Sequence, residues 1–231
     1  RRLHQLLGEA LARLMWCFAR ARIQHKALFA SIAKEVVSRC DGAEGEVAQF
    51  PPAALNDMMW ACARCCQQQG PLLRVLKQQI RMLLDDDPAS SSLPAERCRG
   101  FGFPGTAKVQ PFRLQTLVPI VDAQLALRCV DAALLSAITE YCLAGLALPA
   151  READRFTGGA RASLPAAARA FATAGVCRGE LYDALKAAAT RRRGELRKED
   201  LDEIWRYARQ AAQEAEKQER AKSAPPPRQR A

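Results

Sequence analysis

Trp16-Cys-Phe-Ala-Arg20, Trp60-Ala-Cys-Ala-Arg64 and Trp205-Arg-Tyr-Ala-Arg209 are three copies of one pentapeptide, and together they use every tryptophan in the chain. A motif that recurs whole at spacings of tens of residues points to a helical repeat array rather than a single catalytic core. The first two copies extend without a gap. A shift of 44 residues lays Leu11 on Leu55, Leu14 on Met58, Met15 on Met59, Ala19 on Ala63, Leu28 on Leu72, Phe29 on Leu73 and Ile32 on Leu76. Each unit reads as two amphipathic helices joined by a short polar turn, with apolar residues at i, i+3, i+4 and i+7 on one face.

Weaker copies follow. Phe112, Leu117, Ile120, Val121, Leu134, Leu135 and Ile138 match Phe50, Leu55, Met58, Met59, Leu72, Leu73 and Leu76 at one constant offset, with Asp122 in the tryptophan position. Another copy runs from Leu164 through Phe171 to Leu181, Tyr182 and Leu185. The third tryptophan motif opens a last copy with no second helix; a charged segment from Ala211 to Lys222 and then Pro225-Pro-Pro227 follow. A polar end of this kind caps a solenoid.

The breaks agree. Asp41-Gly-Ala-Glu-Gly45 and Phe50-Pro-Pro52 separate the first two copies, with proline at a helix start where its missing N–H costs little. Leu148-Pro149 and Gly158-Gly159 mark a later break, and no alternating strand pattern occurs. The expectation is an all-α, right-handed solenoid of stacked antiparallel helix pairs, with about four to five degenerate repeats of roughly 40 residues. The repeats fall at 3–40, 50–84, 111–147, 160–190 and a partial 198–213, within one domain over 1–213. A loop is inserted at 85–110, and 214–231 is a charged helix extension with a disordered Pro/Arg-rich tail.

At 231 residues and 49% hydrophobic content the chain has ample material for a continuous core. Each tryptophan is expected to be a buried anchor, so that Trp16→Ala or Trp60→Ala costs about 3–5 kcal/mol. The most apolar stretch, Leu117 to Leu148, is interrupted by Asp122, Arg128, Asp131 and Glu140, so it reads as buried helices and not as a membrane span. The opening Arg1-Arg2, without Met, reads as a processed or trimmed end.

Residues that carry chemistry are sparse. Of nine cysteines, Cys62, Cys65 and Cys66 resemble half a zinc site. No second Cys-x-x-Cys and no nearby histidine completes it, and Cys62 falls on the repeat position of Phe18, where a small buried hydrophobe fits. The odd count speaks against a disulfide framework and for reduced thiols. His4 and His25 have no nucleophile at a useful spacing. Asp85-Asp-Asp87 reads as a solvated run, and Gly100-Phe-Gly-Phe-Pro-Gly105 matches no phosphate loop. No metal, no cofactor and no enzymatic activity are expected.

Charge is the remaining signal. The formal net charge is +10, which in a helical repeat protein points to a polyanionic partner. The first forty residues carry eight Lys or Arg against Glu9 and Glu35. Arg20, Arg64 and Arg209 share one repeat position, four residues after tryptophan, and so lie one helical turn from the ring. Two uses are open for them: capping the ring by cation–π contact, or tracking successive phosphates as a row. The candidate RNA-binding residues are Arg13, Arg20, Arg22, Lys26, Arg64, Arg191, Arg192, Arg193, Arg197, Lys198, Arg206 and Arg209. Aromatic residues are few, so contacts to phosphate and sugar are expected to outnumber stacking on bases.

The stretch Leu28 to Arg39, followed by Phe50-Pro-Pro-Ala-Ala-Leu-Asn-Asp-Met-Met-Trp60-Ala-Cys-Ala-Arg64, resembles the octotricopeptide-type repeats of organellar RNA-binding proteins. It is also similar to the helical repeats of FAST-kinase-like and RAP-domain proteins. Those repeats read Phe-x-Pro-x-x-Leu-x-x-x-x-Trp-Ala-x-Ala-(Lys/Arg), which residues 50 to 64 match nearly throughout; the sequence holds no RAP domain. The resemblance implies RNA metabolism in a mitochondrion or plastid, with binding of ribosomal RNA in a mitochondrial ribosome as the leading expectation. The alternative is a protein-binding scaffold or accessory subunit of another organellar complex. RNA and the other proteins of a large organellar complex are the expected partners.

Overall fold

The computed structural model describes residues 3–40, 50–65, 70–85 and 112–223. Among them every regular element is helical: ten α-helices and two short 3-10 turns, with no strand. The break at 41–49, Cys66, the inserted segment after Asp85 and the Pro/Arg-rich tail lie outside the described residues. No described helix is long and apolar enough to cross a membrane.

The chain divides into two compact units, Arg1–Tyr141 and Cys142–Ala231. The first holds α1 (Gly8–Arg20), α2 (Lys26–Cys40), α3 (Pro52–Arg64), α4 (Gly70–Asp85), α5 (Leu114–Ala126) and the start of α6 (Ala132–Ala147). Local chemistry sets the helix starts. Pro51 and Pro52 open α3, where a missing N–H breaks no helical bond. His25 Nδ1 accepts the Leu28 N–H at 3.1 Å ahead of α2, and Asp131 Oδ1 accepts the Leu134 N–H at 3.1 Å ahead of α6. Helix α1 packs on α3, α3 on α5, and α2 on α4.

Positions matched in the sequence are buried together. Leu11, Leu55 and Leu117 are fully buried, as are Ile32, Leu76 and Ile138, and Phe50 and Phe112 nearly so. The contacts between α1 and α3 keep the 44-residue shift. Arg13 pairs with Asp57 at 3.7 Å, and the Trp16 and Trp60 rings lie 6.3 Å apart between centroids. A constant offset between contacting residues means that the two helices run parallel and in register.

The tryptophans depart from the sequence-based expectation. Trp16 and Trp60 are half-buried, and Trp205 is 38% exposed. The core positions are Leu11 and Met15 in α1 and Leu55 and Met59 in α3, all fully buried. A residue one step further along a helix turns about 100° away from its neighbour, which places the rings on the flank.

The second unit holds the end of α6, α7 (Ala150–Thr157), α8 (Ala160–Thr173), α9 (Gly179–Arg191) and α10 (Lys198–Ser223). Helix α7 falls where the sequence reads as a break. It packs on α8, and α10 packs on both α8 and α9. Ala167, Ala168 and Ala189 are fully buried beside Leu164, Phe171, Leu185 and Ile204, and their small side chains let the helices approach closely. At Gly145 the fit is tight: a Cβ there would lie 2.8 Å from three Phe156 ring atoms.

Candidate nucleic-acid interface

The site grows from the way α1 ends. Its last turn closes with the Ala21 N–H donating to Cys17 O at 3.0 Å, the Arg22 N–H to Ala19 O at 3.1 Å and the Ile23 N–H to Phe18 O at 2.9 Å. This is a Schellman motif, which needs a left-handed residue after the helix; here that residue is Arg22, at φ +58°. Helix α5 ends in the same way on Arg128 at φ +52°, with bonds from Arg128 N–H to Leu125 O and from Cys129 N–H to Gln124 O. Helix α8 ends likewise on Gly175 at φ +76°. The closing turn takes up the terminal carbonyls of α1, so no guanidinium is needed to cap them.

Because α1 and α3 are parallel and in register, their last residues, Arg20 and Arg64, sit at the same end of the pair. Beside them Arg22, Gln24, Arg64 and Cys65 line a cleft of about 220 Å³. Arg22 and Arg64 are exposed and make no ion pair or side-chain hydrogen bond among the described residues. Arg20 is used differently: its guanidinium lies 4.9 Å from the centroid of the Trp16 ring, and that of Arg13 lies 5.5 Å from it. So Arg20 caps its own tryptophan, whereas Arg64 makes no such ring contact among the described residues. Burial pushes the Asp57 carboxyl above its ordinary value, and Arg13 beside it pulls it back down.

The other candidates fall as follows. Lys26, at the start of α2, is exposed and without an acidic partner among the described residues. The remaining seven belong to the second unit. Arg191, Arg193, Lys198 and Arg209 are exposed and make no ion pair among the described residues. Arg197 lies 3.4 Å from the buried Asp200, whose carboxylate also accepts the Arg197 N–H at 3.0 Å and caps α10. Those bonds hold the Asp200 carboxyl below its ordinary value, the backbone bond contributing most. Arg206 lies 3.9 Å from Glu203 and 4.8 Å from the Tyr207 centroid.

Arg192 is turned inward. Its side chain is only 13% exposed, and it donates to Thr157 Oγ1 and Gly158 O at 2.7 Å each and to Glu195 at 2.6 Å. Its guanidinium ties the end of α9 to the end of α7.

Gln24 joins the cleft without having stood out in the sequence, and Cys65 joins it after being singled out only as part of a half zinc site. The signal for both at this cleft was positional: each lies within two residues of a candidate arginine. Cys62, a buried member of the half zinc site, offers little chemistry. Burial, with a further push from the Cys65 and Cys129 thiols, raises Cys62 to about 12. A thiol held protonated at neutral pH is a poor nucleophile and a poor metal ligand. No group of three His, Cys, Asp or Glu side chains among the described residues is placed to hold a metal ion.

No protein-family model, curated protein or solved structure matches this chain.

Proposed function

We propose that the chain is an organellar RNA-binding helical repeat protein, a structural component that holds ribosomal RNA within a mitochondrial ribosome. The observation that carries this reading is the set of arginines at one end of the α1–α3 pair. A contact register of 44 residues brings Arg20, Arg22 and Arg64 to that end, and no acid neutralises Arg22 or Arg64 among the described residues. Cations without intramolecular partners attract phosphates at no cost in broken ion pairs, and they release the counterions that phosphates carry. The pairing of α1 with α3 and of α2 with α4 agrees with a solenoid of helix pairs, the architecture of the repeats that residues 50 to 64 resemble.

The test is retention of total organellar RNA by the purified protein across a salt series. Retention at low salt that falls log-linearly supports phosphate tracking, and sequencing the retained RNA names the target. Absence of retention at low salt overturns the reading and leaves the protein-binding scaffold in its place.

A further inference from the structure

We propose that the cleft between Arg22 and Arg64 is a phosphate subsite, in which both guanidiniums hold one phosphate group of an RNA strand; this rests on the RNA-binding reading above and narrows it to a place.

Arg22 occupies a backbone position that disfavours it. At φ +58° a side chain crowds the following carbonyl oxygen, and the equivalent position after α8 carries glycine, at φ +76°. The left-handed turn fixes the direction in which the Arg22 side chain leaves the end of α1. That direction takes it to the cleft it shares with Arg64, which stands at the end of the neighbouring parallel helix. Gln24, two residues on, adds an amide to the same cleft. Two arginines and a glutamine lining a cleft of about 220 Å³ bring planar N–H donors and two positive charges within reach of a single tetrahedral anion.

Arg128 provides the internal control. It has the same left-handed geometry, at φ +52°, but it follows α5 and does not line the cleft. Any effect of relieving backbone strain is therefore shared by Arg22→Gly and Arg128→Gly, whereas an effect on phosphate binding belongs to Arg22→Gly alone.

The experiment measures binding of a fluorescent twelve-nucleotide oligouridylate, with and without a 5′-phosphate, from 50 to 400 mM salt. Wild type is compared with Arg22→Gly, Arg64→Gln, the double variant and Arg128→Gly. One lost phosphate contact on a single strand makes the slope of log K against log salt shallower by ~0.7, which is about eightfold in affinity at 50 mM salt. Each single cleft variant is expected to approach that loss. The double variant stops at the same ~0.7, because both arginines serve one phosphate and removing the second costs nothing more. Arg128→Gly keeps the wild-type slope.

Loss on both oligonucleotides assigns an internal diester, and loss confined to the 5′-phosphorylated one assigns a terminal phosphate. Either result supports the subsite. Wild-type slopes in both single variants overturn the subsite and leave RNA binding intact elsewhere on the protein. A summed loss of ~1.4 in the double variant, or an equal loss in Arg128→Gly, shows independent surface charges and also overturns it. No salt-dependent binding by wild type removes the subsite together with the RNA-binding reading.

Discussion

Replacing Arg22 or Arg128 with glycine should make the protein more stable, although each change removes an entire charged side chain. Both residues are left-handed, at φ +58° and φ +52°, and both side chains are exposed, so little packing is lost. The left-handed conformation costs an ordinary L-residue about 1–2 kcal/mol. Glycine gives back about 0.4–1 kcal/mol of that, because its unfolded chain is more disordered. The net gain is about 0.5–1 kcal/mol at each site. Gly175 supplies the reverse experiment. A Cβ built there meets nothing within 4 Å, so Gly175→Ala changes the backbone preference without a clash and should lose about the same amount. Equilibrium urea unfolding followed by far-ultraviolet circular dichroism reads these changes. With an m-value of about 2–3 kcal/mol/M, the midpoint should rise by ~0.2–0.5 M for Arg22→Gly and Arg128→Gly and fall by a similar amount for Gly175→Ala. If both arginine variants unfold at lower urea than wild type, with m unchanged, the three shared helix endings are wrong and so is the presentation of Arg22 to the cleft.

Three further predictions test the packing. Gly145→Ala would drive a methyl into the Phe156 ring, an overpacking cost of about 1–3 kcal/mol that should outweigh the helix-propensity gain of about 1 kcal/mol. A lower melting temperature that recovers when Phe156→Leu is added confirms the contact, and a higher one refutes it. Trp16→Ala should cost about 1–3 kcal/mol, below the full core penalty, since the ring is half-buried against Trp60 and two guanidiniums; a loss above that range in urea unfolding would return Trp16 to the core. Cys62 sits near 12 in the folded protein against 9.0 for an ordinary thiol, so the folded state holds its proton longer than the unfolded state does. Its contribution is fully present below pH 9 and is lost as pH rises toward 12, at up to about 1.4 kcal/mol per pH unit. Cys62→Ala should flatten that alkaline slope by one proton, and identical slopes in wild type and variant would contradict the burial.

The α1–α3 register was legible in the sequence because a shift of 44 aligns both the tryptophans and the core leucines. The structure adds the pair Arg13 and Asp57, which are also 44 residues apart. Side-chain type alone could not locate the flank. Tryptophan suggests burial, yet Met15 and Met59, one step earlier, take the core. Nor did it reveal the left-handed turns. Gly175 carries that signal openly, whereas arginine at position 22 carries none, and only the hydrogen bonds of the closing turn identify it. Helix α7 escaped for a related reason: eight residues between a Leu-Pro and a Gly-Gly pair look like a linker. Of the cleft, Arg64 followed from the repeat and Arg22 from the basic start of the chain, but nothing in the sequence placed them side by side.

The Arg191-Arg-Arg193 run shows why a charge count misleads where a structure does not. All three residues read as one basic cluster. The middle one is committed to the fold through Thr157 and Gly158, partners more than thirty residues away in sequence. A phosphate approaching Arg192 would have to displace short, largely buried bonds, and so would gain little. Exposed pairs are different. Arg206 lies 3.9 Å from Glu203, a contact worth at most about 1 kcal/mol, which a phosphate can replace. Arg22 and Arg64 need no exchange at all, because no acid holds them among the described residues. On the proposed reading, affinity for a polyanion would therefore be set less by the net charge of +10 than by which guanidiniums the fold has left unengaged. A variant that removes two such groups from one cleft should matter more than one that removes the same charge from the paired surface.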